Sequence, residues 1–155
     1  MHFLFAILVK YVKIKMISMK KLGLDLGKVR IGIAMSDILG ILASPYQTLQ
    51  SKGLERDILA VAEICKQYQV DTVVIGLPLN MDGTESDMSY YAKSFADGLK
   101  NHIASNIILQ DERLTSVEAE EYLNAVNKRG KKRKEILDQV AACIILQTYL
   151  DAKKE

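Results

Sequence analysis

Apolar residues alternate with small or polar ones in two neighbouring stretches. Leu22, Leu24 and Leu26 alternate with Gly23, Asp25 and Gly27. Ile31, Ile33 and Met35 then alternate with Arg30, Gly32, Ala34 and Ser36. A period of two predicts strands, and the short Gly27-Lys28-Val29 connection predicts an antiparallel hairpin. A third short strand over 45–49 contains Pro45, which a sheet edge tolerates. The period then changes: Leu54, Ile58, Val61, Ala62 and Cys65 mark one face of a helix. Thr72-Val73-Val74-Ile75 reads as a buried strand that ends at Gly76-Leu77-Pro78. A polar loop over 80–84 leads into a helix reaching about residue 100. Ile107-Ile108-Leu109 predicts another buried strand, ending at Asp111-Glu112-Arg113. Thr115 and Glu118 have capping-box spacing for the next helix, and a last helix is expected over about 135–150. A hairpin followed by alternating helices and strands implies an α/β domain with a mixed sheet.

The 155-residue length suits one domain with a full core. Apolar residues make up 49% of the chain and charged ones 26%, the balance of a globular protein. The only histidines are His2, in a terminal tail, and His102, near a helix end, so chemistry built on a histidine base has almost no candidates. Cys65 and Cys143 lie in apolar helical patterns without metal-ligand spacing. They read as reduced core thiols of a cytoplasmic protein.

The net charge of +2 conceals an asymmetry. Residues 128–134 read KRGKKRK, and Lys128, Arg129, Lys131, Lys132, Arg133 and Lys134 make this a concentrated basic loop on an otherwise acidic body. Such a run is either a solvated loop or a means of neutralising phosphates. Residues 1–18 carry Lys10, Lys13 and Lys15 and no acid. Their apolar run from Phe3 to Val9 is too short to span a bilayer, and no signal-type cleavage site follows. Met16 or Met19 would be a natural start, so residues 1–18 read as an extension outside a domain of 19–151. A membrane-surface or partner-binding segment is the alternative, but no stable membrane association is expected.

Three acids stand out. Asp25 is a charge in a strand interior, which costs free energy unless something pairs with it. Its neighbours Gly23 and Gly27 either let a metal ion and a phosphate approach the sheet or admit a packed helix. Glu112 stands at the carboxyl end of a strand, where open α/β sheets place ligands. Asp111 faces the other way, because adjacent strand residues alternate. Asp138 opens a helix in which Ala141, Ala142 and Ile145 follow on roughly the same side. Those small residues allow the helix to approach the sheet. Three carboxylates suit a hard divalent cation, and the lack of histidine and cysteine clusters argues against zinc.

These motifs, from Leu22 to Gly32, Gly76-Leu77-Pro78, Asp111-Glu112-Arg113-Leu114-Thr115 and Asp138-x-x-Ala141-Ala142, together resemble the RuvX/YqgF family. Its members are described as Holliday junction resolvases and as nucleases maturing the 5′ end of pre-16S ribosomal RNA. The resemblance spans residues 19 to about 151. It implies an RNase H-like fold with a mixed five-stranded sheet flanked by helices. It also implies phosphodiester hydrolysis with Mg²⁺ or Mn²⁺. By position, Asp25, Glu112 and Asp138 become catalytic acids and metal ligands. The family often has two threonines after DERL; here Thr115 and Ser116 stand there.

The expected function is a metal-dependent nuclease acting on the 5′ end of pre-16S rRNA. Arg30, Arg113 and the basic run would contact nucleic acid. Structured RNA precursors, branched DNA or ribosome-assembly intermediates would be partners of a monomer or homodimer. The alternatives are a resolvase of branched DNA and a non-catalytic ribosome-assembly or transcription factor. An actin-like ATPase ranks last, because this chain is too short for the two domains that cradle a nucleotide.

Overall fold

The computed structural model describes residues 1–17, 20–112 and 130–153, except for the side chains of 13–17, 130 and 131. The elements run α1 (His2–Ile17), β1 (Lys21–Leu26), β2 (Arg30–Ser36), β3 (Ala43–Gln50), α2 (Leu54–Tyr68), β4 (Thr72–Leu77), α3 (Asp87–Leu99), β5 (Asn106–Asp111) and α4 (Gly130–Ala152). The five strands form one sheet in the order β3-β2-β1-β4-β5. β1 pairs antiparallel with β2, and β2 with β3. β4 runs parallel to both β1 and β5. The hairpin and the mixed sheet are as the sequence pattern predicts.

Strand alternation divides the core between two faces. Leu22, Leu24, Ile31, Ile33, Val73 and Ile75 point to the face covered by α2 and α3, where Phe95 and Leu99 are fully buried. Ala34 and Val74 point to the other face and pack on Ala142, Ile145 and Leu146 of α4. The sheet is therefore a layer between helices. Burial pushes the Cys65 thiol up to about 12, which suits an inert core residue.

Three expectations are corrected. The 107–109 strand is only half buried, because β5 is the last strand of the sheet and Leu109 is exposed. The third strand lies at a sheet edge, as Pro45 implies, but is longer than 45–49. The last helix is already formed at Gly130, so Lys131, Lys132, Arg133 and Lys134 are helical rather than in a loop. Lysine and arginine are good helix formers, and the charge run obscured this in the sequence. Asp138 thus sits about two turns inside the helix, and attraction to a helix N-terminus does not account for it. Thr115, Ser116 and Glu118, with the proposed cap, lie outside the described residues. Arg113, Lys128 and Arg129 lie outside them as well.

The 16-residue helix α1 leaves Phe3, Leu4, Phe5, Ile7, Leu8 and Val9 exposed. Among the described residues no helix is long and apolar enough to cross a membrane.

Candidate active site

The site is organised around one row across the sheet. Asp25 on the central strand is registered against Gly32 of β2, and Gly32 against Thr48 of β3. On the other side the Leu24–Ile75 pairing places Gly76 of β4 one step further along, next to Asp25, and Gly76 is registered against Gln110 of β5. Asp25 therefore has a glycine beside it on each neighbouring strand, and all of these residues face α4.

Those two glycines create the space that the other two acids use. A Cβ at Gly32 would overlap the backbone carbonyl of Asp138. A Cβ at Gly76 would overlap the carboxylate of Glu112 and stand 2.6 Å from Ile145 Cδ1. Asp138 thus lies over the strand on one side of Asp25, and Glu112 folds back over the strand on the other. Gly23 and Gly27 have different roles. A Cβ at Gly23 would come within 2.8 Å of the Ala142 carbonyl, and one at Gly27 within 2.6 Å of the Arg30 carbonyl. Gly23 admits the helix and Gly27 permits the tight turn.

Each acid is held by its own element. The Glu112 amide donates to the Leu77 carbonyl at 3.3 Å, extending the β4–β5 ladder one residue past Asp111. Asp138 is fixed by a clamp from β3: the Thr48 hydroxyl donates to the Glu135 carbonyl at 2.8 Å and accepts from Gln139 Nε2 at 2.9 Å. Further along, Gln147 Oε1 accepts from the Ala43 amide at 2.9 Å. Ala142, buried against Ala34 and Val74, keeps α4 close to the sheet, whereas Ala141 is buried in a separate cluster with Val140, Ile136, Leu137 and Ile144. This is the approach that the sequence pattern anticipated.

Arg30 Nε donates to Asp138 Oδ2 at 2.7 Å, so the first strand residue after the hairpin turn ties the helix to β2. No donor among the described residues hydrogen-bonds Asp25.

The electrostatics follow from this crowding. Burial, and then the charge of Asp138, push the Asp25 carboxyl from 3.8 up to about 7. Burial, then Asp25, then Asp111, push Glu112 from 4.5 up to about 8. Three acids repelling one another in a partly dehydrated spot favour protonation or a cation. Their oxygen-only chemistry suits a hard divalent ion. Among the described residues no three such side chains stand close enough to hold a metal as they are. Arg30 satisfies one oxygen of Asp138. The donor chemistry fits a divalent ion, whose charge would have to draw the carboxylates together.

A family model described as "RuvX: Holliday junction resolvase" matches residues 19–152. The chain belongs to the RuvX family. A relative from Syntrophomonas wolfei named "Putative pre-16S rRNA nuclease" is 44% identical over 86% of this chain and 94% of its own length. One of the same name from Fusobacterium nucleatum is 43% identical over 86% of this chain and 97% of its own. Among solved structures, Thermus thermophilus RuvC in complex with Holliday junction substrate aligns with a TM-score of 0.53. It is 11% identical over 87% of this RuvX chain and 95% of that one. The fowlpox virus resolvase with Holliday junction DNA gives 0.52 at 14% identity, over 88% and 99%. At these identities the likeness speaks for the fold, which is RNase H-like.

Sequence reasoning missed the parts played by Gly32, Gly76 and Thr48. The two glycines were in the family motifs, and a glycine inside a strand signals close approach. Only strand register shows that both flank Asp25. Nothing in the sequence singles out Thr48.

Proposed function

We propose that this RuvX protein is a metal-dependent nuclease whose Asp25, Glu112 and Asp138 hold Mg²⁺ or Mn²⁺ and whose substrate is the 5′ end of pre-16S rRNA. The observation that carries this reading is the gathering of two elevated carboxyls and a third acid over a glycine-flanked row of the sheet. Buried acids that repel one another are a poor structural solution and a good cation trap. The substrate comes from the relatives' names.

When bound, the cation lowers the pKa of water and neutralises charge developing on the phosphodiester oxygens. The protein's own residues divide the remaining work. Asp25, on the central strand, is the fixed reference of the site. Glu112 closes it from the β5 end and Asp138 from α4. Lys134 stands one helical turn before Asp138, and Lys132 is exposed in the same first turns. These cations, with Lys131, Arg133, Lys128, Arg129 and Arg113, would lead a phosphate backbone towards the acids. No covalent protein intermediate is needed. The nuclease domain is residues 19–151, with 1–18 outside it, and the protein works in the cytoplasm.

The family description favours a second substrate, branched DNA. One experiment separates the readings: purified wild type and Asp25→Asn are given a precursor 16S fragment and a synthetic four-way junction, with Mg²⁺ or EDTA. Cleavage of the precursor by wild type alone, abolished by EDTA, is expected. Junction cleavage in its place would transfer the function to branched DNA. Full activity of folded Asp25→Asn would remove the acids from the chemistry. Tight RNA binding without any cleavage would favour an assembly factor.

A further inference from the structure

Arg30 enters α4 at the one acid of the three that is not carried by the sheet. Its bond to Asp138 Oδ2 is single, through Nε at 2.7 Å, and spans the hairpin and the last helix. The two side chains are mostly covered, with exposures of 23% and 19%, so solvent screens the pair only in part. Among the described residues the guanidinium's outer nitrogens and Asp138 Oδ1 have no other partner. Arg30 is also the residue whose carbonyl accepts the Gly27 amide at 2.9 Å, so its backbone is fixed by the hairpin turn. Only the side chain is left to move.

A positive group bound to a metal-ligating oxygen competes with the metal. It also offers a planar fork that matches a phosphate. From this we infer that Arg30 is a positioning residue that exchanges partners: it holds Asp138 while the site lacks a cation, and passes to a substrate phosphate when a cation takes Asp138. The inference rests on the metal reading above and adds a coupling between cation and phosphate. A phosphodiester that draws Arg30 away from Asp138 removes the cation's competitor, so each ligand strengthens the other by the same factor. Free protein then binds metal weakly, and the complete site forms only on nucleic acid.

The test is calorimetric titration of the full chain with Mn²⁺. Wild type, Arg30→Gln, Asp138→Asn and the double variant are each titrated with and without a short phosphorothioate oligonucleotide that resists cleavage. Without oligonucleotide, Arg30→Gln should bind Mn²⁺ more tightly than wild type by at least about 5-fold, the lower end of ordinary coupling. The oligonucleotide should strengthen Mn²⁺ binding to wild type by a similar factor and leave Arg30→Gln unchanged. In the Asp138→Asn background the Arg30→Gln effect should vanish, which a merely structural role would not produce. Arg30→Lys, a point charge without the fork, should keep the competition and lose most of the oligonucleotide response.

Equal or weaker Mn²⁺ binding by folded Arg30→Gln would overturn the exchange while leaving the nuclease reading in place. If no variant binds Mn²⁺ with or without oligonucleotide, the metal reading itself fails and the exchange with it.

Discussion

Replacing Glu112 with glutamine should make this enzyme more stable and inactive, with a stability gain that depends on pH. Glu112 is pushed from 4.5 to about 8 by burial and by the charges of Asp25 and Asp111. The folded state therefore keeps this proton to higher pH than the unfolded chain does. Between about pH 4.5 and 8 the folded state binds more protons, and stability falls as pH rises. At about 1.4 kcal/mol for each tenfold change in proton affinity, the full displacement corresponds to about 5 kcal/mol. Glu112 is half-buried rather than sealed, so solvent screening leaves an expected gain of roughly 1–3 kcal/mol for Glu112→Gln at pH 8.5. At pH 5 the folded carboxyl is already protonated, and the two proteins should be nearly equal. The chain contains no tryptophan, so urea unfolding is best followed by far-ultraviolet circular dichroism, in EDTA, at both pH values. Mg²⁺ should narrow the gap at pH 8.5, because it stabilises only the protein that keeps its ligand. A gap independent of pH, or a glutamine variant less stable at pH 8.5, would refute the account of Glu112 as a repelled, buried carboxyl.

Other outcomes follow from the same geometry. Gly32→Ala drives a methyl group into the Asp138 carbonyl, a backbone atom that cannot swing aside, and should cost about 1–3 kcal/mol; an unchanged thermal midpoint would count against the close approach of α4. Lys132→Ala with Lys134→Ala should flatten the salt dependence of oligonucleotide binding by roughly two counterions. An unchanged slope in filter-binding measurements would take the helix start out of the interface. Removal of residues 1–18 should change the unfolding free energy by less than about 0.5 kcal/mol. A larger loss in denaturant titration would place the N-terminal helix in the domain.

The sequence by itself determined much of this protein. Alternating residues around Asp25 specified a hairpin, because a period of two fixes which side chains share a face. The order of motifs identified the family, and the spacing of Ala141 and Ala142 after Asp138 indicated that the last helix would come close to the sheet. Burial along the 107–109 segment was not legible, since an apolar run does not say whether its strand is central or at an edge. The helical start of the basic run was not legible either, because charge says solvent and not conformation. The tertiary structure decided which glycines matter. Gly23 and Gly27 adjoin Asp25 in the chain, but Gly32 and Gly76 adjoin it in space. That neighbourhood comes from strand register across three segments, a long-range property that no local pattern encodes. The pairing of Arg30 with Asp138 likewise joins residues 108 positions apart. It exists because a helix seated on glycines brings its acid within reach of the hairpin.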